Sequence, residues 1–415
     1  MPPNCLTVLA PLRPGQAERL RALLRPIGDD IKGARRPAAP GRPHVNFTRS
    51  RRIHFARFAL FDDPDRGAGH TRLLFASVYD GLLDAHLAEL VSITEGHDEI
   101  WRACEGYTAW GDFATFITAR AVEPAAYYIA FRDETATSIQ QAMEARRRIE
   151  EAGTLAGLGR PAPSLADRIG GVFRQIVRAL PLAIDLIRAI ARHGFRDVYA
   201  GTLRILASLD RYVFFRVVNW ITRNRLPVLS TPFTSMALDH CAPPVLAMGD
   251  ELPATSAPLP SGFREDVVTQ NQLTLVTVVR PESVERVRAV MAGINSYARR
   301  LSPPGSLIGI SSIHFVRWLL IDGGRRLMMV SDYDGSWESY IDEFAEMILS
   351  GLDAIWETSY GYPPDGARDL PAFKRFLRLH QVPAEIFFSA YPDETVLNIE
   401  RDRTSLAARA EPSPA

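Results

Sequence analysis

The chain is written twice, and this constrains its fold more than any other feature. Leu6-Thr7-Val8-Leu9 and Leu273-Thr274-Leu275-Val276 each lead into Arg-Pro, at Arg13-Pro14 and Arg280-Pro281, then into Glu-Arg-x-Arg at Glu18 and Glu285. Ile53-His54-Phe55-Ala56-Arg57-Phe58 matches Ile313-His314-Phe315-Val316-Arg317-Trp318. Arg72-Leu73-Leu74 to Tyr79-Asp80-Gly81 matches Arg326-Leu327-Met328 to Tyr333-Asp334-Gly335. Ile100-Trp101 with Gly106-Tyr107 matches Ile355-Trp356 with Gly361-Tyr362, and Asp133-Glu134-Thr135 matches Asp393-Glu394-Thr395. Matched blocks in one order are the mark of an internal duplication.

Each copy translates into the same elements. Residues 5–12 and 272–280 are apolar with β-branched residues and predict strands. Pro14 and Pro281 suit a first helical turn, and helices follow. Residues 52–61 and 312–321 predict second strands, 72–79 and 326–333 third strands. The link between them is longer in copy one, where Asp62 to His70 replaces Asp322-Gly323-Gly324. Hairpin tips tolerate such insertions. A helix running to about Trp101 or Trp356 comes next, then a short helix near Phe113 or Phe373. Ala126–Phe131 and Glu385–Tyr391 predict fourth strands, with Asp133 and Asp393 as N-caps of closing helices. The order β-α-β-β-α-β is the ferredoxin-like unit. A four-stranded sheet with helices on one face leaves the other face apolar, and two such units can bury it sheet on sheet. The expected fold is α+β: duplicated ferredoxin-like βαββαβ units forming an intramolecular pseudo-twofold barrel, with a helical insert between them. The expected divisions are a first repeat at 1–153, a basic amphipathic helical insert at 154–229, a Pro-rich linker at 230–267 and a second repeat at 268–415.

Inside the insert, Ile169, Val172, Phe173, Ile176, Val177 and Leu180 fall at helical spacing. From Arg168 to Arg225 there are eleven arginines against three acids, Asp185, Asp197 and Asp210. Basic amphipathic helices with aromatic residues on the apolar side suit a membrane surface. Equally, such helices can cap the barrel and leave their arginines in water. The whole chain carries 48 basic and 48 acidic residues, which excludes a general nucleic-acid binder because phosphate affinity needs cationic excess. All but Lys32 and Lys374 of the basic residues are arginines, a bias that reads as a GC-rich genome. No basic stretch followed by an apolar one opens the sequence, and no run approaches the roughly 18 apolar residues of a membrane span. Cys5, Cys104 and Cys241 are odd in number and far apart, which fits neither a disulfide framework nor a metal knuckle. The expected setting is cytoplasmic, with peripheral contact at the inner membrane face through 165–227.

Tandem ferredoxin-like halves resemble the dimeric α+β-barrel superfamily, which includes dye-decolourising peroxidases, chlorite dismutases and small antibiotic-biosynthesis monooxygenases. The resemblance lies in element order over about 1–150 and 268–410. It implies haem as a possible cofactor, held in the peroxidases by Gly-x-x-Asp-Gly, a downstream His and a distal Arg. Here Tyr-Asp-Gly stands at that place, preceded by Val78 or Asp332, and the histidine after the second Asp-Gly is His380. The blocks also look like an uncharacterised bacterial family with a His-Phe-x-Arg-Trp … Tyr-Asp-Gly-Ser-Trp pattern.

Six residues are candidates for chemistry: His54, Tyr79 and Asp80, and their counterparts His314, Tyr333 and Asp334. Strand alternation places His54 with Ala56 and Phe58 and turns Arg57 away. The imidazoles serve either as proton shuttles or metal ligands facing an inter-sheet cavity, or as hydrogen-bonded structural residues. Asp80 and Asp334 serve either as acid/base groups beside the tyrosines or as caps of the helix that follows. Copy two is the richer, with Asp332, Trp337 and Glu338 alongside. No metal site is expected. Three functions stay open: an oxidoreductase-like enzyme acting on an apolar or lipid substrate at a membrane, a non-catalytic lipid- or membrane-associated binding or scaffold protein, and a purely structural interaction module. An apolar small molecule or lipid is the expected partner.

Overall fold

The computed structural model describes residues 3–32, 45–63, 69–93, 97–108, 110–151, 269–300 and 302–410. The insert expected at 154–229 and the linker at 230–267 lie outside the described residues. The first half contains β1 (Pro3–Pro11), α1 (Ala17–Lys32), β2 (Ile53–Asp62), β3 (Thr71–Asp80), α2 (Leu83–Ile93), α3 (His97–Arg102), α4 (Phe113–Thr118), β4 (Ala126–Ile129) and α5 (Ala136–Glu151). The second contains β5 (Gln270–Val278), α6 (Val284–Arg300), β6 (Ile313–Ile321), β7 (Arg326–Asp334), α7 (Trp337–Trp356), α8 (Leu370–Leu379), β8 (Ala384–Ser389) and α9 (Val396–Ala410). Pro281 opens a single 3₁₀ turn ahead of α6 rather than lying inside the α-helix. The structure is mixed α+β, with two antiparallel four-stranded sheets ordered β1-β3-β2-β8 and β4-β6-β7-β5.

The fourth strands correct the expectation of two self-contained units. β4 pairs with β6 of the other half, Ala126 opposite Trp318, and β8 pairs with β2, Phe388 opposite Ala56. Each connecting stretch first bonds its own half. Val122 N donates to Thr7 O at 2.8 Å and Leu9 N to Arg120 O at 3.2 Å before the chain crosses to β6. In the second half, Val382 N donates to Thr274 O at 2.8 Å and Val276 N to His380 O at 3.0 Å before the chain crosses to β2. Backbone N–H and C=O groups at a sheet edge need partners, and each half supplies those of the other.

Both faces of these sheets are buried, so β2 reads IHFARFALFD, nearly continuous in apolar residues rather than alternating. On the outer face of sheet one, Leu6, Val8, Ala56, Phe58 and Phe75 pack on Leu20 and Leu24 of α1 and on Trp101. On the inner faces, Leu9, Ala59, Phe61 and Leu74 of sheet one meet Val276, Leu319, Ile321 and Met328 of sheet two. Each of these leucine, isoleucine, valine, phenylalanine and methionine side chains contributes roughly 1.5–3 kcal/mol by leaving water.

Beyond this apolar layer, a closed cycle of ion pairs joins the two β-hairpins. Asp63 accepts from Arg72 at 2.5 Å and from Arg326 at 2.8 Å; Asp322 accepts from Arg72 at 2.7 Å and is ion-paired with Arg326 Nε at 2.7 Å. Asp322 sits at φ 54°, a left-handed conformation unusual for a residue with a Cβ. Burial pushes the Asp63 carboxyl up, but hydrogen bonds from Arg326 and Arg72 outweigh it and hold the group below its ordinary value. A carboxyl with a depressed folded value stabilises above its unfolded value, near about 4, and loses that stabilisation as pH falls through the folded value. Asp63→Asn should therefore flatten the acid limb of the stability-versus-pH curve. At pH 7 it should cost about 3 kcal/mol, because the buried Arg326 and the half-buried Arg72 each lose one of two charge partners. Urea unfolding from pH 7 to pH 3 measures both.

Candidate functional site

His54 and His314 occupy matched β-bulges. Ile53 faces Tyr79 while Phe55 faces Val78, so His54 is the extra residue; Ile313 and Phe315 flank His314 in the same way opposite Tyr333 and Asp332. A bulge re-aims a side chain. The imidazole of His54 therefore leaves the Ala56–Phe58 face expected from alternation and lies on the inner side. Its ring is 5.4 Å from Phe315 and 5.8 Å from Tyr391. Arg57 and Arg317 share that inner side.

The histidine–aspartate pairs form in both halves. His54 Nε2 lies 3.0 Å from Asp80 Oδ1, and His314 Nε2 lies 2.7 Å from Asp334 Oδ1. A carboxylate only accepts, so each Nε2 donates. His54 Nδ1 then accepts the Tyr391 hydroxyl at 2.8 Å. The second oxygen of each aspartate accepts from a helix start: Asp80 Oδ2 from Ala136 N at 2.8 Å, and Asp334 Oδ2 from Val396 N at 2.7 Å. This overturns the expected capping scheme. Asp80 and Asp334 cap α5 and α9, far along the chain, rather than the helix that follows Tyr-Asp-Gly. Asp133 and Asp393 give way as caps to Thr135 and Thr395, whose hydroxyls accept from Ser138 N and Asn398 N.

The tyrosines do not join these pairs as acid/base partners. Tyr79 stacks on His86 and Tyr333 on Tyr340, each at 3.9 Å on the helix-facing side of its sheet. Burial pushes Tyr79 up to about 12. The cluster expected around Asp334 disperses: Asp332 turns inward to Arg57, while Arg378 lies over the buried Trp337 ring and pairs with the exposed Glu338.

Arg57 and Tyr391 are not among the residues expected at the site, and Asp332, expected beside Asp334, meets Arg57 instead; the three organise the interior. Arg57 is 1% exposed. It donates to Asp332 Oδ1, to Gln272 Oε1, Leu273 O and Thr274 Oγ1 at 3.1 Å each, and to Ser331 O at 2.8 Å. Burial pulls the guanidinium below its ordinary value, opposed by the charge of Asp332. The signal was present, since Arg57 and Arg317 recur at matched positions, but it was submerged among arginines. Tyr391 has Phe131 as its counterpart, so duplication did not flag it.

Between the bulges, Phe55, Phe315 and Tyr391 stack edge to face, with Phe55 5.4 Å from Phe315 and 5.5 Å from Tyr391. His54, Tyr391 and His314 are all at most 1% exposed. The hollows that stand out lie elsewhere: about 10 Å³ between α5 and α9, and about 100 Å³ beside Arg13 and Gly69.

The haem implied by the resemblance does not fit these residues. Both Asp-Gly carboxylates are taken by imidazole and helix N–H. The space beside His54 and His314 is occupied by aromatic rings. His380 donates Nδ1–H to Phe376 O at 2.7 Å, and its ring lies against Phe376. Among the described residues no group of three or more His, Cys, Asp or Glu side chains is placed to hold a metal ion.

Asp80→Ala should therefore act on folding. It should cost about 3 kcal/mol in urea unfolding, because His54 and the Ala136 N–H both lose their acceptor. Tyr391→Phe should cost about 1 kcal/mol, the worth of one hydrogen bond.

No family model, curated protein or solved structure matches the chain.

Proposed function

We propose that the chain is a non-catalytic scaffold that associates with a lipid or membrane surface. In this reading two ferredoxin-like units form an intramolecular pseudo-twofold α+β barrel. The crossing of β4 and β8 between halves, at matched positions, supports the barrel.

The observation that carries the function is the filled interior. Arg57 with Asp332, the aromatic layer of Phe55, Phe315 and Tyr391, and the apolar layer of Leu9, Phe61, Val276 and Met328 occupy the space between the sheets. Oxidoreductase-like action on an apolar substrate would need that space, with His54 or His314 open to it. The Tyr-His-Asp chain instead anchors two strands and a helix start. Burial also pushes the Tyr391 hydroxyl well above its ordinary value, which suits a donor that keeps its proton.

Contact with a membrane falls to 165–227, which lies between the halves in sequence. Its eleven arginines from Arg168 to Arg225 would each add about 1 kcal/mol near an anionic leaflet. The proposed association is peripheral, at a cytoplasmic face, through the charge of this segment.

Full-length protein should co-sediment with phosphatidylserine-containing vesicles and weakly with phosphatidylcholine alone. Arg174→Glu, Arg178→Glu, Arg188→Glu and Arg192→Glu together should abolish the difference; unchanged partitioning overturns the membrane role. Added haem should give no protein-shifted Soret band. A shifted band that His54→Ala or His314→Ala removes overturns the non-catalytic reading.

A further inference from the structure

The two buried arginines are related by the duplication but are not equally served. Around Arg57 the five acceptors come from Gln272, Leu273, Thr274, Ser331 and Asp332. The matched positions around Arg317 are Cys5, Leu6, Thr7, Ser77 and Val78. Two of these keep their role: Arg317 Nη1 donates to Leu6 O at 3.3 Å and to Ser77 O at 3.0 Å. The other three do not. Val78 replaces the carboxylate, Cys5 replaces the amide, and the Thr7 hydroxyl is buried without a hydrogen-bond partner.

Arg317 is 3% exposed and Thr7 is 2% exposed. Among the described residues Arg317 makes no ion pair, and only its Nη1 donates. Its bonds both run from Nη1 to backbone carbonyls, Leu6 O and Ser77 O, and neither is to a charged group. Glu123, which acts electrostatically on the neighbouring Tyr79, is itself exposed. A buried cation without a charge partner is costly. Arg57 sits close enough to act on Arg317 electrostatically, and it already holds the Asp332 carboxylate.

We propose that Arg317 and Thr7 form a binding site for a small monovalent anion the size of chloride, reached past the partly exposed Cys5. The anion stands to Arg317 as the Asp332 carboxylate stands to Arg57. Arg317 supplies the charge and the fork, and the Thr7 hydroxyl donates the remaining hydrogen bond. Val78 and Ala76, both buried on the inner side, restrict the ligand to a small ion.

Urea unfolding of the full-length protein, with chloride replacing gluconate at constant ionic strength, tests this. The folded-to-unfolded ratio should rise about tenfold when chloride reaches ten times its dissociation constant. Val78→Asp supplies a built-in anion, so this variant should be more stable without chloride and insensitive to it. Wild type indifferent to chloride, or Val78→Asp as chloride-sensitive as wild type, overturns the site. Should Val78→Asp fail to fold, ³⁵Cl line broadening by wild type that Thr7→Val weakens supports it, and broadening unchanged by Thr7→Val overturns it.

Discussion

Edge satisfaction is the constraint on which the molecule rests. Each half builds three strands and then sends its fourth away, so β2 and β6 obtain their outer hydrogen-bond partners only from β8 and β4. The connecting stretches lie along β1 and β5 before they cross, so those edges are occupied as well. A single exchange thus holds the sheets face to face. Everything between them follows from that approach: the apolar layer, the aromatic layer, and arginines that reach across to the opposite sheet's carbonyls.

The duplication, the strands and the hairpin-length difference were legible because they depend on local pattern. The destination of the fourth strands was not, since Ala126–Ile129 has the same apolar composition whether it pairs at home or across. The bulge at His54 was equally hidden. Alternation fixes side-chain direction only while register holds, and one extra residue reversed it. Tyr-Asp-Gly was recognised as a capping signature, but the helix it caps is 56 residues downstream for Asp80 and 62 for Asp334. Reading that partner requires the three-dimensional path. Arginine-rich composition masked the two arginines that matter most inside.

The paired halves also show how a duplicated interior diverges. Ser77/Ser331, Leu6/Leu273 and Thr7/Thr274 are retained, while Val78/Asp332, Cys5/Gln272 and Phe131/Tyr391 differ. The differing pairs are those that decide which arginine has a carboxylate and which histidine has a phenol. Two first halves joined to each other would bury two copies of Arg57 with no Asp332 between them. The polar asymmetry therefore favours pairing unlike halves.

The crossed strands also impose a timetable on synthesis. Sheet one cannot be completed when β2 leaves the ribosome, because the strand that borders it ends at Ser389. At cellular translation speeds this interval lasts roughly 15–60 s. Throughout it, the nascent first half presents a row of unpaired backbone groups beside bare apolar side chains. A chain of this design is most exposed to misassembly before its last strand is made, so chaperone engagement during translation would matter more to its yield than the stability of the finished fold.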